Sequence, residues 1–195
     1  MNYADIRPID VANGPGVRVS LFVSGCPHRC PGCFNPETWD FQYGQGFGEE
    51  QVRSILDLLR PGYIRGLTLL GGEPMAPANQ PEVLSLVRRV RQELPGRDIW
   101  CYTGYLYEEL AAGRVGPLDR ELLHELDVLV DGPFLLEQKD IRLRFRGTAT
   151  ETEADVFLEQ KDIRLRFRGS ANQRILDVPR SLAAGEALWW DSPQD

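Results

Sequence analysis

The chain has 195 residues, 42% of them hydrophobic, with 29 acidic against 22 basic side chains and a formal net charge of −7. A single domain spanning residues 1–195 would bury roughly 70% of the surface its unfolded chain exposes, which excludes a disordered chain and a disulfide-stapled miniprotein. The negative balance repels phosphate backbones, and no apolar run reaches the roughly 18–20 residues that span a bilayer, so neither nucleic acid nor a membrane is an expected partner and the chain reads as soluble and cytoplasmic.

In chain order, Val17–Val23 is a predicted first strand, β-branched and apolar between Gly14-Pro15-Gly16 and Ser24-Gly25. Glu49–Leu59 places Val52, Ile55, Leu56 and Leu59 at the spacing of a helix with one buried face, ended by Pro61-Gly62. Residues 66–70 form a short strand running into Gly71-Gly72, and a helix follows from about Pro81 to Leu94 before Pro95-Gly96. Asp98–Tyr102 reads as a strand, residues 106–112 and 118–125 as helices, and residues 128–130 as a strand ending at Asp131-Gly132-Pro133. Strand alternating with helix implies βαβ units, a largely parallel sheet, and ligands gathered at the strands' C-terminal ends. The cysteine segment, Gly71-Gly72 and Asp131 all fall there.

Residues 136–147, LEQKDIRLRFRG, recur letter for letter in residues 158–169. Two copies are a duplication and not a solenoid, which needs three or more units. Apolar residues alternate with Arg142, Arg144 and Arg146, and again with Arg164, Arg166 and Arg168, as in a strand with one dry and one cationic face. Such a face is ordinarily solvated; it could also dock an acidic electron donor such as flavodoxin.

Cys26-Pro27-His28-Arg29-Cys30-Pro31-Gly32-Cys33 is a C-x3-C-x2-C run, while Cys101 stands alone. Three thiolates on one loop can hold three corners of a [4Fe–4S] cube and leave the fourth iron open for chemistry. This spacing suits a metal in a reducing compartment better than disulfides. The competing reading is a non-catalytic interaction module in which His28 completes a Cys3His zinc site.

The triad, with Gly71-Gly72-Glu73-Pro74 after the second predicted strand, resembles the radical S-adenosylmethionine superfamily. Within it, Met1-Asn2-Tyr3, Asn13-Gly14-Pro15-Gly16, the segment from Leu21 to Cys26, Tyr102-Thr103-Gly104-Tyr105 and the segment from Arg168 to Gln173 resemble the glycyl-radical-enzyme activases that serve anaerobic ribonucleoside-triphosphate reductases. The pyruvate formate-lyase type of activase is the alternative within the same class. The resemblance implies a partial (βα) barrel of mostly parallel strands with helices outside, and a [4Fe–4S] cluster on Cys26, Cys30 and Cys33. It also implies S-adenosylmethionine as cofactor, lying against Gly32, Cys33 and Phe34, with Gly71, Gly72 and Glu73 at its methionine part. The implied reaction is reductive cleavage of that cofactor and formation of a glycyl radical in the large subunit of the reductase, fed by a flavodoxin or ferredoxin-like donor. The duplication departs from the family pattern. Only the second copy leads into Gly169-Ser170-Ala171-Asn172-Gln173, so it is expected to take the family's strand position, leaving the first as an added edge strand or loop.

Thr103 and Asp131, at strand ends, are candidates to touch the ligand, as are Asn172 and Gln173; the plainer reading makes Thr103 and Asp131 turn residues and Asn172 and Gln173 backbone partners. Cys101 reads as a small buried hydrophobe and His124 as a surface or boundary residue. Phe34, Trp39, Phe41 and Tyr43 either shield a cluster or pack the core.

Overall fold

The computed structural model describes residues 1–138 and 172–191. Both expected Arg-rich strands, their six arginines and the question of which copy takes the family's strand position lie outside these residues. The first copy's opening residues, Leu136–Gln138, form a 3-10 turn.

Among the described residues seven strands form one sheet in the order β3-β1-β2-β4-β5-β6-β7. They are β1 (Asn2–Asp10), β2 (Val17–Val23), β3 (Gln45–Gly46), β4 (Ile64–Gly71), β5 (Asp98–Tyr102), β6 (Val128–Asp131) and β7 (Arg174–Asp177). The helices are α1 (Glu49–Leu59), α2 (Gln80–Glu93), α3 (Tyr107–Ala111), α4 (Asp119–Glu125) and α5 (Val178–Ala184). The fold is therefore α/β, but the expectation of a mostly parallel sheet is corrected. β2, β4, β5 and β6 run parallel, whereas β1 pairs antiparallel with β2 and β3, and β7 pairs antiparallel with β6. The parallel centre follows from the helical crossovers. The antiparallel flanks are β1, which turns back into β2 through residues 11–16, β3, which returns to β1 after the cysteine segment, and β7, which follows the duplication.

Alternation along each strand sorts the core into two layers. Val19, Leu21 and Val23 of β2 join Leu67 and Leu69 of β4 and the buried faces of all five helices. The opposite face holds Phe22, Leu70, Trp100, Tyr102, Val128, Val130 and Ile175, all from strands, with Trp190 packed against them. Among the described residues the five α-helices pack on one face, which leaves the strand ends accessible from the other.

The Asn13-Gly14-Pro15-Gly16 motif sits at the end of β2 opposite the cysteines. Arg18, fully buried, donates to Thr68 Oγ1 at 2.6 Å and pairs with Asp98 at 2.5 Å, while Thr68 Oγ1 donates to Asn13 O at 2.9 Å. A side chain on Gly14, whose φ is +130°, would collide with Arg18 at 2.8 Å. The motif thus anchors the loop over a buried charge that would be costly to leave unpaired.

Candidate functional site

The C-terminal ends of the parallel strands converge. β2 delivers the cysteine loop, β4 delivers Gly71-Gly72-Glu73, β5 delivers Thr103-Gly104, and β6 delivers Gly132. Together with Phe34, Phe134 and Gln173 these segments line a hollow of about 120 Å³ that contains Cys26, Cys30 and Cys33 at its wall. Of the expected site residues, Cys26, Cys30, Cys33, Phe34, Gly71, Gly72, Glu73 and Thr103 line it.

The cysteine loop is stitched to its surroundings through backbone. Gly25 N–H donates to Thr38 O at 2.8 Å, Cys26 N–H to Trp39 O at 3.2 Å, and Glu73 N–H to Gly25 O at 2.8 Å. Asn79, buried, donates to both Ser24 O and Glu73 O, at 3.0 and 2.9 Å. The loop turns through Arg29, a non-glycine residue at φ +48°, and through Gly32 at φ +73°. Gly32 is capped by Leu136, whose methyl would meet a Cβ there at 2.7 Å, and the Phe41 ring lies on Gly25. Phe34 stands edge-on to Phe134 at 5.5 Å and stays 43% exposed at the rim. It therefore serves as a rim residue and not as core.

Backbone N–H groups surround the sulfurs. Those of His28 and Arg29 face Cys26, that of Phe134 faces Cys30, and Asn35 N–H donates to Cys33 Sγ at 3.4 Å. Such donors stabilise thiolates and tune iron–sulfur centres. Burial nonetheless pushes the Cys26 thiol up to about 11, with Glu73 adding to the rise, and raises Cys30 as well. Three half-buried thiols on one wall, each met by backbone donors, fit a cluster that supplies the positive charge these thiolates need. Among the described residues no three His, Cys, Asp or Glu side chains converge closely enough to hold a single metal ion. The His28 Nε2 that a Cys3His zinc site would use lies 2.9 Å from Glu73 Oε2 instead.

Glu73, 1% exposed, is the hub of the site. Its Oε1 accepts from Met75 N–H at 2.9 Å and from Thr103 Oγ1 at 2.8 Å. Its Oε2 accepts from Gly104 N–H at 2.8 Å and faces His28 Nε2. Thr103 therefore both lines the hollow and holds Glu73, and its hydroxyl also accepts from Tyr105 N–H at 3.1 Å, as a turn residue does. Sequence reasoning missed His28 as Glu73's partner because the pairing spans two loops.

Asp131 lies just outside the lining. Fully buried, it accepts from Tyr107 N–H at 2.8 Å and from Arg174 Nε at 2.9 Å, and Arg174 is bidentate to Glu108 at 2.9 and 2.8 Å. The two carboxylates hold Arg174 firmly charged. Arg174 was not foreseen; the register that sets it opposite Asp131 across β6 and β7 exists only in the folded sheet. Asn172 turns its amide to Pro133 O at 2.6 Å, while Gln173, donating to Gly132 O at 3.2 Å, takes the place on the lining. Cys101 is buried within the sheet, its thiol pushed well up by burial, and His124 is exposed in the last turn of α4. Among the described residues no helix is long and apolar enough to cross a membrane.

A family model described as a 4Fe-4S single cluster domain matches residues 12–152. The chain is 44% identical over 153 residues to the anaerobic ribonucleoside-triphosphate reductase-activating protein of Escherichia coli K12, covering 77% of this chain and 96% of that protein. It is 48% identical to the protein of that name from Vibrio cholerae, over the same shares. The counterpart in Enterobacteria phage T4 is 43% identical over 134 residues, 69% of this chain and 81% of that protein.

Proposed function

We propose, starting from the fact that this chain belongs to the anaerobic ribonucleoside-triphosphate reductase-activating protein family, that it is a radical S-adenosylmethionine activase which installs a glycyl radical in that reductase. The observation that carries the reading is the convergence of Cys26, Cys30 and Cys33 with Gly71, Gly72 and Glu73 on one hollow. Bound there, a [4Fe–4S] cluster would supply one electron, received from a flavodoxin or ferredoxin-like donor, to break a C–S bond of the sulfonium cofactor.

The chain's own residues hold, orient and exclude. Cys26, Cys30 and Cys33 would ligate the cluster. Gly71 and Gly72 let backbone approach the methionine part of the cofactor, and the Glu73 carboxylate would accept from its amino group. Gly32, Cys33 and Phe34 would lie against the cofactor, with Phe34, Phe134 and Leu136 keeping water from the mouth. Thr103 would act by fixing Glu73. Asp131 would act by securing β6 to β7, and Asn172 by holding the turn that carries Gln173.

The strand order supports a partial (βα) barrel. From β2 through β4, β5 and β6 the sheet steps in one direction, with the five described α-helices in one layer. The strand-only face would then be the concave one, facing the glycine loop of the reductase.

The test is anaerobic reconstitution with iron and sulfide, reduction, and mixing with S-adenosylmethionine and the reductase. A glycyl radical in electron paramagnetic resonance, with 5′-deoxyadenosine and methionine as products, supports the reading. A reduced, cluster-loaded protein that yields neither sinks it.

A further inference from the structure

Glu73 carries more donors than a ligand-binding carboxylate can spare. A carboxylate offers about four acceptor positions, and here Met75 N–H, Thr103 Oγ1, Gly104 N–H and His28 Nε2 occupy them, all between 2.8 and 2.9 Å. Any amino group that is to reach Glu73 must displace one. Two of the four are backbone donors fixed by the turns after β4 and β5, and Thr103 is 4% exposed with its hydroxyl also tied to Tyr105 N–H. The fourth differs in kind. The His28 imidazole is a side chain, 19% exposed, on a loop outside regular structure, and it lines the hollow itself.

We infer that His28 is a displaceable occupant of Glu73 Oε2, a positioning residue that the amino group of the bound cofactor replaces. The inference rests on the proposed binding of S-adenosylmethionine and adds what the chain must do to admit it. His28 sits in a built cradle. Its ring lies within 2.6–3.0 Å of where a Cβ on Gly104 would be, so only glycine fits beneath it, and the Tyr105 ring meets it edge-on at 4.4 Å. The cradle holds the ring over the carboxylate at the hollow's mouth.

Competition for one hydrogen bond to a charged group is worth about tenfold in affinity. The experiment is anaerobic titration calorimetry of S-adenosylmethionine into the reconstituted full chain, with iron and sulfide content measured for each sample. His28→Ala, which removes the competitor, is expected to bind the cofactor about tenfold more tightly than wild type. Gly104→Ala, which evicts the ring while leaving the cysteine loop's sequence intact, should shift affinity in the same direction and serves if His28→Ala loads poorly. His28→Gln, which returns an N–H donor, should fall back toward wild type. An analogue of the cofactor without its α-amino group should bind wild type and both loosened variants alike. Binding by His28→Ala and Gly104→Ala that equals or falls below wild type overturns the inference alone, as does an equal gain with the analogue. Cluster-loaded wild type that binds no cofactor overturns this and the proposed function together.

Discussion

Gly72 and Gly25 meet backbone to backbone, and a Cβ on Gly72 would stand 2.7 Å from Gly25 O and 3.0 Å from Thr38 O. Neither obstacle is a flexible side-chain end. Both belong to the backbone that positions Cys26, so the glycine after β4 sets how closely the cysteine loop lies against the sheet.

Gly72→Ala is therefore expected to push the loop outward, destabilising the protein by about 1–3 kcal/mol and lowering iron retained per chain after reconstitution. Gly62→Ala, at a position with open space around it, is the control and should leave both unchanged.

Replacing Cys26, Cys30 or Cys33 singly by Ala should abolish the visible absorbance of the reconstituted protein. Cys101→Ala should keep it. Cys101 is buried within the sheet and bonded weakly to Tyr102 O at 3.7 Å, so its loss costs about 1 kcal/mol of packing and no iron.

Cluster assembly should depend on pH in a set direction. Burial raises Cys26 to about 11 and raises Cys30, and these thiols must lose protons to bind iron. Reconstitution yield is expected to climb between about pH 6.5 and 9, with protons released as iron binds. A yield that falls over that range would mean that the thiols are not the ligands.

Arg174→Ala should cost about 3 kcal/mol or more, since it strands Asp131 as an unpaired charge in the sheet. With its cation gone, burial holds the folded carboxyl above its unfolded value. The penalty is thus absent at low pH and grows as pH rises past about 4. Chemical denaturation at several pH values reads this out, and Asp131→Asn combined with Arg174→Ala should recover part of the loss.

The elements with strong periodicity were legible in the sequence. α1 spans the residues that Val52, Ile55, Leu56 and Leu59 predict, and β2 those between its glycine turns. β1 was not legible. Asn2–Asp10 contains Pro8 and has only its last residue buried, so it lacks the apolar alternation that marks a half-buried strand. β7 and α5 follow the duplication, where a repeated sequence gave no unique reading of what comes next. The cysteine spacing and the place of Gly71-Gly72 after a strand are local properties and legible as such, whereas Glu73 entered the expected site only through the family resemblance.

What local patterning determined by itself was the inventory: three thiols on one loop, a glycine-rich turn, and alternating elements that bring both to one edge. What only the tertiary structure decided was the partnership of the polar groups. Glu73 turns to His28, Thr103 and Gly104, and Asp131 to Arg174, across separations of tens of residues. A buried carboxylate must find donors wherever the fold brings them. Periodicity describes which face a residue occupies and carries no information about which distant group will stand opposite it.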